Sequence, residues 1–442
     1  DGNTSIWRHA CCFYHLFYRS CSLFLERRNA IIKGGVMRLR NLAILLPLWF
    51  GFIAEGRAEN LEYYLEEAGR NNLSLRAKYQ QVQAFQERSN QAGYLPEPTV
   101  SAGVFVQPVE TKVGPQRGKI GVQQMLPWFG TIPQKKNLAI NQAELKKQEY
   151  LVAKNELFLQ LKSIWYPMIT LNQKIKVMEE NLEILETYNQ IATKRLEAGA
   201  GNMVDIIRIE MKKEALEIDL QLAEEKLVLM SARFNLLCNA EEERVLEFPE
   251  KIEVQDEFAE DFTHPKLEHF SLQLDGLEIK KDLAQKQFMP SFGFGIDYVF
   301  IGESSMEVAD SGKDAIMPMM SVQVPIYRAK YRSKLQELEH MEKSITLSQQ
   351  AFGQKLDSKI LGVDYEQERF EQLLALYQEQ TKKLEQSIEI LLISYSNSGK
   401  NFEGLLKVQQ ELLKYQLAEL EIQKDHQLAL ARKEAIMGRE HE

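Results

Sequence analysis

The chain has 442 residues, 44% of them hydrophobic, with 54 Lys and Arg against 63 Asp and Glu for a net charge of −9. Apolar residues at that level exclude a disordered chain, and an acidic excess argues against a nucleic-acid binder, which needs concentrated Lys and Arg to neutralise phosphates. The 24 Gly and 13 Pro cluster at a few points and leave long stretches with neither, which predicts long helices.

Residues 1–36 precede Met37, the first Met of the chain, and read as non-native or upstream-start sequence; the alternative is a genuine N-terminal extension. Residues 37–58 have the three parts of a secretory signal peptide: basic Arg38 and Arg40, an apolar run from Leu42 to Ala54, and small residues at Gly56 and Ala58. Cleavage is expected after Ala58. Removing the eight basic and three acidic residues of 1–58 leaves 46 basic and 60 acidic, a net charge of −14 over 384 residues. Only Cys238 then remains, so no intramolecular disulfide is expected; its apolar neighbours mark it as a small buried hydrophobe. No later stretch reaches the 18 or so consecutive apolar residues of a transmembrane helix, so any membrane crossing must be made by strands.

Residues 59–239 form a first structural repeat. A helix ends near Tyr94, and alternation between prolines predicts strands from Thr99 to Val106 and from Lys119 to Gln124, joined by a polar loop from Gln107 to Gly118. Pro96, Pro98 and Pro127 stand where helix meets strand; proline lacks a backbone donor and forces the preceding residue out of helical geometry. After Pro133 the pattern is helical to about Ala198, with Pro167 as the expected kink. Leu171, Ile175, Met178, Leu182, Leu185, Asn189, Ala192 and Leu196 step alternately by four and three, the seam of a coiled coil. Gly199 ends the helix as a hairpin tip, since glycine takes the left-handed conformation other residues resist. The return helix continues the seam through Leu216, Leu220, Ala223, Leu227, Met230, Phe234 and Leu237.

An acidic inter-repeat segment, 240–262, reads as an equatorial belt or a linker. A second repeat follows over 263–442, opening at His264-Pro265 with Thr263 or His264 as cap. Strands are predicted from Ser291 to Phe300 and Met317 to Val324 between Pro290 and Pro325, then a helix with a seam from Phe370 to Tyr395, the tip glycine Gly399, and a return helix through Leu405, Val408, Leu412 and Tyr415. The landmarks of the two copies are offset by 192 at Leu75 and Leu267, 194 at Pro96 and Pro290, 198 at Pro127 and Pro325, and 200 at Gly199 and Gly399. Such ordered recurrence identifies an internal duplication.

Four strands per chain cannot close a membrane barrel, whose smallest members have about eight. Open edges in lipid leave backbone groups unsatisfied, so the strands must join a shared barrel. Two chains would give about eight strands, too narrow for a channel, and three would give about twelve.

The order Leu95-Pro96-Glu97-Pro98, then Gln124-Met125-Leu126-Pro127-Trp128-Phe129-Gly130, then Arg195-Leu196-Glu197-Ala198-Gly199 with Asp205 following, resembles the outer-membrane efflux protein family typified by TolC. The Leu126–Gly130 element looks most like the branch serving heavy-metal or multidrug exporters of the resistance-nodulation-division type. The resemblance implies a mainly α fold with a membrane β-barrel contribution, built as a homotrimer with a twelve-stranded barrel in the lipid of the outer membrane and a coiled-coil helical barrel in the periplasm. It implies a passive exit duct whose partners are a periplasmic adaptor and an inner-membrane pump. A type I secretion duct for polypeptides shares the fold, and a secreted coiled-coil scaffold is the reading without a membrane. The adaptor contact and aperture would lie at Arg195, Gly199, Gly201, Asp205, Tyr395, Gly399, Glu403 and Gly404. Asp205 stands at the family's acid position; the second repeat has Gly404 there, with Glu403 adjacent. The expected cleavage site, Ala58-Glu59, offers no cysteine, so no lipid anchor is expected.

No catalytic constellation, cofactor motif or metal-ligand spacing stands out, and the chain reads as a non-enzyme. Gly293-Phe294-Gly295 lacks the third glycine and following helix of a phosphate loop. His264 and His269 do not share a helical face as ligands at i and i+4 would. Met306, Met317, Met319 and Met320 gather near the second hairpin; thioethers suit copper(I), but filling apolar strand positions explains them more simply.

Overall fold

The computed structural model describes residues 61–249 and 264–438. The predicted signal peptide, the residues before it, Thr263 and most of the acidic segment lie outside the described residues. The element order is α1 (Leu61–Asn71), α2 (Leu73–Gln91), β1 (Thr99–Thr111), β2 (Gly114–Leu126), α3 (Thr131–Glu197), α4 (Met203–Leu237), α5 (Pro265–Lys286), β3 (Ser291–Ile301), β4 (Ala315–Gln323), α6 (Arg328–Ser398) and α7 (Phe402–Met437). From α2 to α4 and again from α5 to α7 the chain runs helix, hairpin, long helix, return helix.

Helices α3 and α6 have 67 and 71 residues, on the order of 100 Å each. Pro167 lies inside α3, which continues through it because flanking Trp165, Met168 and Ile169 are buried and hold the segment in place. Caps fix the helix starts: Asn72 accepts from the Leu75 amide at 3.1 Å, and His264 Nδ1 accepts from the Lys266 amide at 3.0 Å. His264, not its neighbour, therefore fills the cap position before Pro265.

The helices pack side by side rather than around a centre. Near the strands the neighbours run α2, α3, α5, α6; beyond mid-length they run α4, α3, α7, α6. At mid-length, Trp165 sits among Tyr64, Phe234 and Phe248, with ring centroids 5.1, 5.3 and 5.7 Å away. Cys238 is fully buried in this cluster, and burial pushes its thiol up to about 11, so it is the inert hydrophobe its neighbours predicted. The described start of the acidic segment folds onto the same place: Arg244 forms an ion pair with Glu67 at 2.7 Å, and its guanidinium lies 5.2 Å over the Tyr64 ring.

The seams predicted from the heptads are the cores of the lower bundle. Ile175, Met178, Leu185 and Ala192 of α3 are buried against Ile206, Ile209 and Leu216 of α4 and Leu405 and Leu406 of α7. Tyr188, rather than Asn189, takes the deepest position of its turn, because α3 faces two helices and needs a wider stripe than a two-stranded seam. Its hydroxyl donates to Gln409 at 3.1 Å.

The four strands form one antiparallel sheet in the order β1-β2-β3-β4, with β2 and β3 joining the two repeats. The first hairpin is longer than expected. Most of the predicted loop from Gln107 to Gly118 is strand, and only the turn at 112–113 remains. Pro108 fits because β1 is an edge strand and the proline falls within a register shift between Val104 and Val109, where no ladder donor is required. Pro115 sits beside the turn, opposite Glu110. The second hairpin matches its predicted span to within two residues.

Candidate functional site

The two faces of the sheet differ in character. Register places Val100, Val122, Ile296 and Pro318 in one row, Ile120, Tyr298 and Ile316 in the next, and Phe294 beside Met320. All of these apolar side chains point the same way, and Val100, Ile120, Val122, Phe294, Ile296, Tyr298, Ile316 and Met320 are exposed. The opposite face carries Ser101, Lys119, Gln123, Asp297, Ser321 and Gln323, with Gln123 Nε2 donating to Ser321 Oγ at 2.7 Å. Strand alternation therefore divides the methionine group: Met317 and Met319 lie on the polar face, Met320 on the apolar face, and Met306 in the loop beyond. Among the described residues, both edge strands, β1 and β4, lack a partner on one side.

The junction prolines cluster where the sheet meets the helices. Gln124 Nε2 donates to the Pro96 carbonyl at 2.7 Å, Pro98 immediately precedes β1, and Trp128 stacks on Phe292 at 6.3 Å. Pro127 and Pro325 line a cleft of about 680 Å³ with Trp128 and Tyr331, while Pro290 directly precedes β3.

At the far ends of the long helices the two tips meet. Gly199 and Gly399 have φ of +71° and +70°, the left-handed conformation predicted for both. Arg195 ties the tips together: Nη1 donates to the Ser396 carbonyl at 2.7 Å, Nη2 to the Ala200 carbonyl at 3.3 Å, and the guanidinium lies 5.4 Å from the Tyr395 ring centre. Tyr395 is 2% exposed and packs on Phe402 at 4.6 Å. Sequence reasoning missed Arg208, whose Nη1 lies 3.2 Å from Glu403 Oε2 and bridges α4 to α7. Nothing in the sequence marks it, because an Arg on a polar helix face looks the same whether or not a partner faces it. Below the bridge, Asn181, Met211, Lys212, Gln409, Gln410 and Leu413 help line a groove of about 660 Å³ between α3, α4 and α7.

Gly201 and Gly404 differ in what they permit. A Cβ at Gly201 would stand 2.4 Å from the Leu196 backbone nitrogen, whereas none of the described atoms lies within 4 Å of one at Gly404. Gly201→Ala is expected to force the 197–202 turn open and speed amide hydrogen exchange there. Gly404→Ala, within a helix, should leave exchange unchanged and stabilise by up to about 1 kcal/mol.

Burial raises the Asp205 carboxyl above its ordinary value of 3.8, against the pull of Arg208 and of the Tyr395 hydroxyl; burial and then the Asp205 charge raise the Tyr395 phenol. A carboxyl whose pKa is raised on folding favours the fold fully below its unfolded value, and that contribution is lost as pH rises through the folded value. The melting temperature of the wild type relative to Asp205→Asn is therefore expected to fall as pH rises above the ordinary aspartate range.

No protein-family model matches the sequence, and no curated protein matches it. Solved structures do. The fold is that of outer-membrane channels. The outer membrane protein VceC from Vibrio cholerae is 14% identical, with a TM-score of 0.71 over 86% of this chain and 97% of that one. CusC, described in terms of transmembrane channel formation, is 14% identical with a TM-score of 0.71 over 87% and 93%. The open state of the MtrE outer membrane channel from Neisseria gonorrhoeae is 15% identical with a TM-score of 0.67 over 86% and 88%. This TolC-like arrangement, two hairpins interleaved with long helices, is the fold that the ordered motifs implied.

Proposed function

We propose that the chain is one protomer of a trimeric outer-membrane duct, the exit component of a tripartite efflux system. The observation that carries this reading is the sheet: one exposed, mainly apolar face, an opposite face that carries the polar side chains, and two edges unpaired among the described residues. A sheet of this kind is unstable alone in water or in lipid, and pairing β4 of one copy with β1 of the next removes both edges. Three copies of a four-stranded sheet supply twelve strands, enough to enclose a channel.

The helices support the same assembly. The outermost helices α4 and α6 carry exposed apolar residues, Ile207, Met211, Ile218 and Leu222 on one and Leu361, Tyr365, Leu376 and Ile390 on the other. Packing α6 of one copy against α4 of the next covers both stripes and closes a helical barrel in continuity with the strands. A secreted scaffold gives no use to the apolar sheet face.

The tips, with Arg195, Gly199, Gly201, Asp205, Tyr395, Gly399, Glu403 and Gly404, are the proposed periplasmic aperture and adaptor contact. The pump would select the substrate, a small toxic compound or metal ion, and the duct would pass it without chemistry. Cell fractionation with unheated gel electrophoresis tests the reading: a heat-dissociable trimer in the outer-membrane fraction is expected, and a soluble periplasmic monomer would overturn it. Cross-linking from the tip, followed by identification of the captured protein, separates an efflux adaptor from that of a type I secretion system.

A further inference from the structure

Apart from Glu110 and Arg117 in the outer part of the first hairpin, only two side chains of the four strands carry a formal charge, Lys119 and Asp297. They lie on the polar face, on adjacent strands, with Lys119 Nζ 3.0 Å from Asp297 Oδ2. Their exposure is unequal: the Lys119 side chain is 43% exposed and that of Asp297 is 1% exposed. The space for the carboxylate is built into the backbone. Gly121 is the register partner of Asp297, and a Cβ there would stand 2.0 Å from Asp297 Oδ1. Glycine at 121 lets the carboxylate lie flat across the neighbouring strand beneath the ammonium.

We propose that Lys119 and Asp297 set the charge selectivity of the barrel lumen, the sunken carboxylate anchoring an ammonium that faces the passing solute. This inference rests on the duct reading, in which the polar face lines the lumen. With three copies, a ring of ammonium groups would line the pore while the buried carboxylates keep the ring neutral overall. Anionic solutes are favoured at close range, and neither sign is excluded at a distance, because each pair is a dipole with its positive end inward.

A reporter cysteine tests this whatever the state of the tip. Met317 is the register partner of Asp297 on β4 and is 44% exposed, so Met317→Cys places a thiol beside the pair, and buried Cys238 stays unreactive. Intact cells carrying the full-length protein are treated with a sulfonate-bearing and with a trimethylammonium-bearing alkylthiosulfonate, and the two modification rates are compared. Adding Lys119→Gln should lower the anionic-to-cationic rate ratio at least about twofold, since each pair then leaves an uncompensated carboxylate near the thiol. Adding Asp297→Asn should raise the ratio by a similar factor, and the double variant, which has lost the inward-facing dipole, should fall between Lys119→Gln and the starting value. An unchanged ratio in Lys119→Gln, with the thiol modified by both reagents, overturns the proposal even if Asp297→Asn does not assemble. A thiol at 317 that neither reagent reaches would instead sink the duct reading, and with it the proposal.

Discussion

Ile296→Arg is expected to abolish assembly in the outer membrane. Ile296 lies midway along β3, 58% exposed, between Val122 and Pro318 on the apolar face. If that face meets hydrocarbon, an arginine near the bilayer midplane costs about 2–4 kcal/mol, and a trimer would carry the substitution three times. The heat-dissociable trimer should disappear from the outer-membrane fraction. Gln323→Arg, an exposed position on the opposite face, should assemble normally, because a charge there would meet water. Wild-type amounts of trimer from Ile296→Arg would show that this face does not contact lipid.

Lys162→Met is expected to have the largest effect on the helical part. Lys162 of α3 and Glu434 of α7 form a hydrogen-bonded ion pair with both side chains only 9% exposed. Burial, and then the Glu434 charge, push the nearby Tyr166 phenol up to about 12, as expected where a carboxylate sits in poorly solvated surroundings. Removing the ammonium leaves that carboxylate without its counter-charge, a loss of about 3–5 kcal/mol. Lys162→Met combined with Glu434→Met should recover most of it, since two apolar side chains satisfy the same space without desolvating charge. Thermal unfolding followed by circular dichroism reads both. A single variant as stable as the wild type would mean that water reaches the pair.

The alternation that predicted the strands was visible in the sequence, and register decided which residues share a row on the apolar face. The Lys162–Glu434 pair was not visible. Its members are 272 positions apart, and each looks like any charged residue on a long helix. The same holds for Arg208 with Glu403 and for Lys119 with Asp297. Charges on helices and strands have no periodic signature for being paired, because pairing depends on which distant segment lies opposite.

The tip divides along the same line. Gly199 and Gly399 were predictable because a left-handed turn after a helix is a local demand that glycine meets best. The bond from Arg195 to the Ser396 carbonyl arises only when the two hairpins lie side by side. Pro108 shows the reverse error: local reasoning ended β1 too early, because a proline is costly inside a sheet but tolerated at a register shift on an edge strand, and edge position is a property of the whole sheet.

The sequence by itself determined the duplication, the long helices, the two hairpins, their proline junctions and the glycine tips, since each follows from periodicity or from residues with restricted or unusual backbone freedom. Only the tertiary structure decided that β2 pairs with β3 across the repeats, that α3 is flanked by both α4 and α7, and which charges meet. Those outcomes depend on packing between segments far apart in the chain, where the free energy belongs to pairs of surfaces and no single stretch of sequence encodes it.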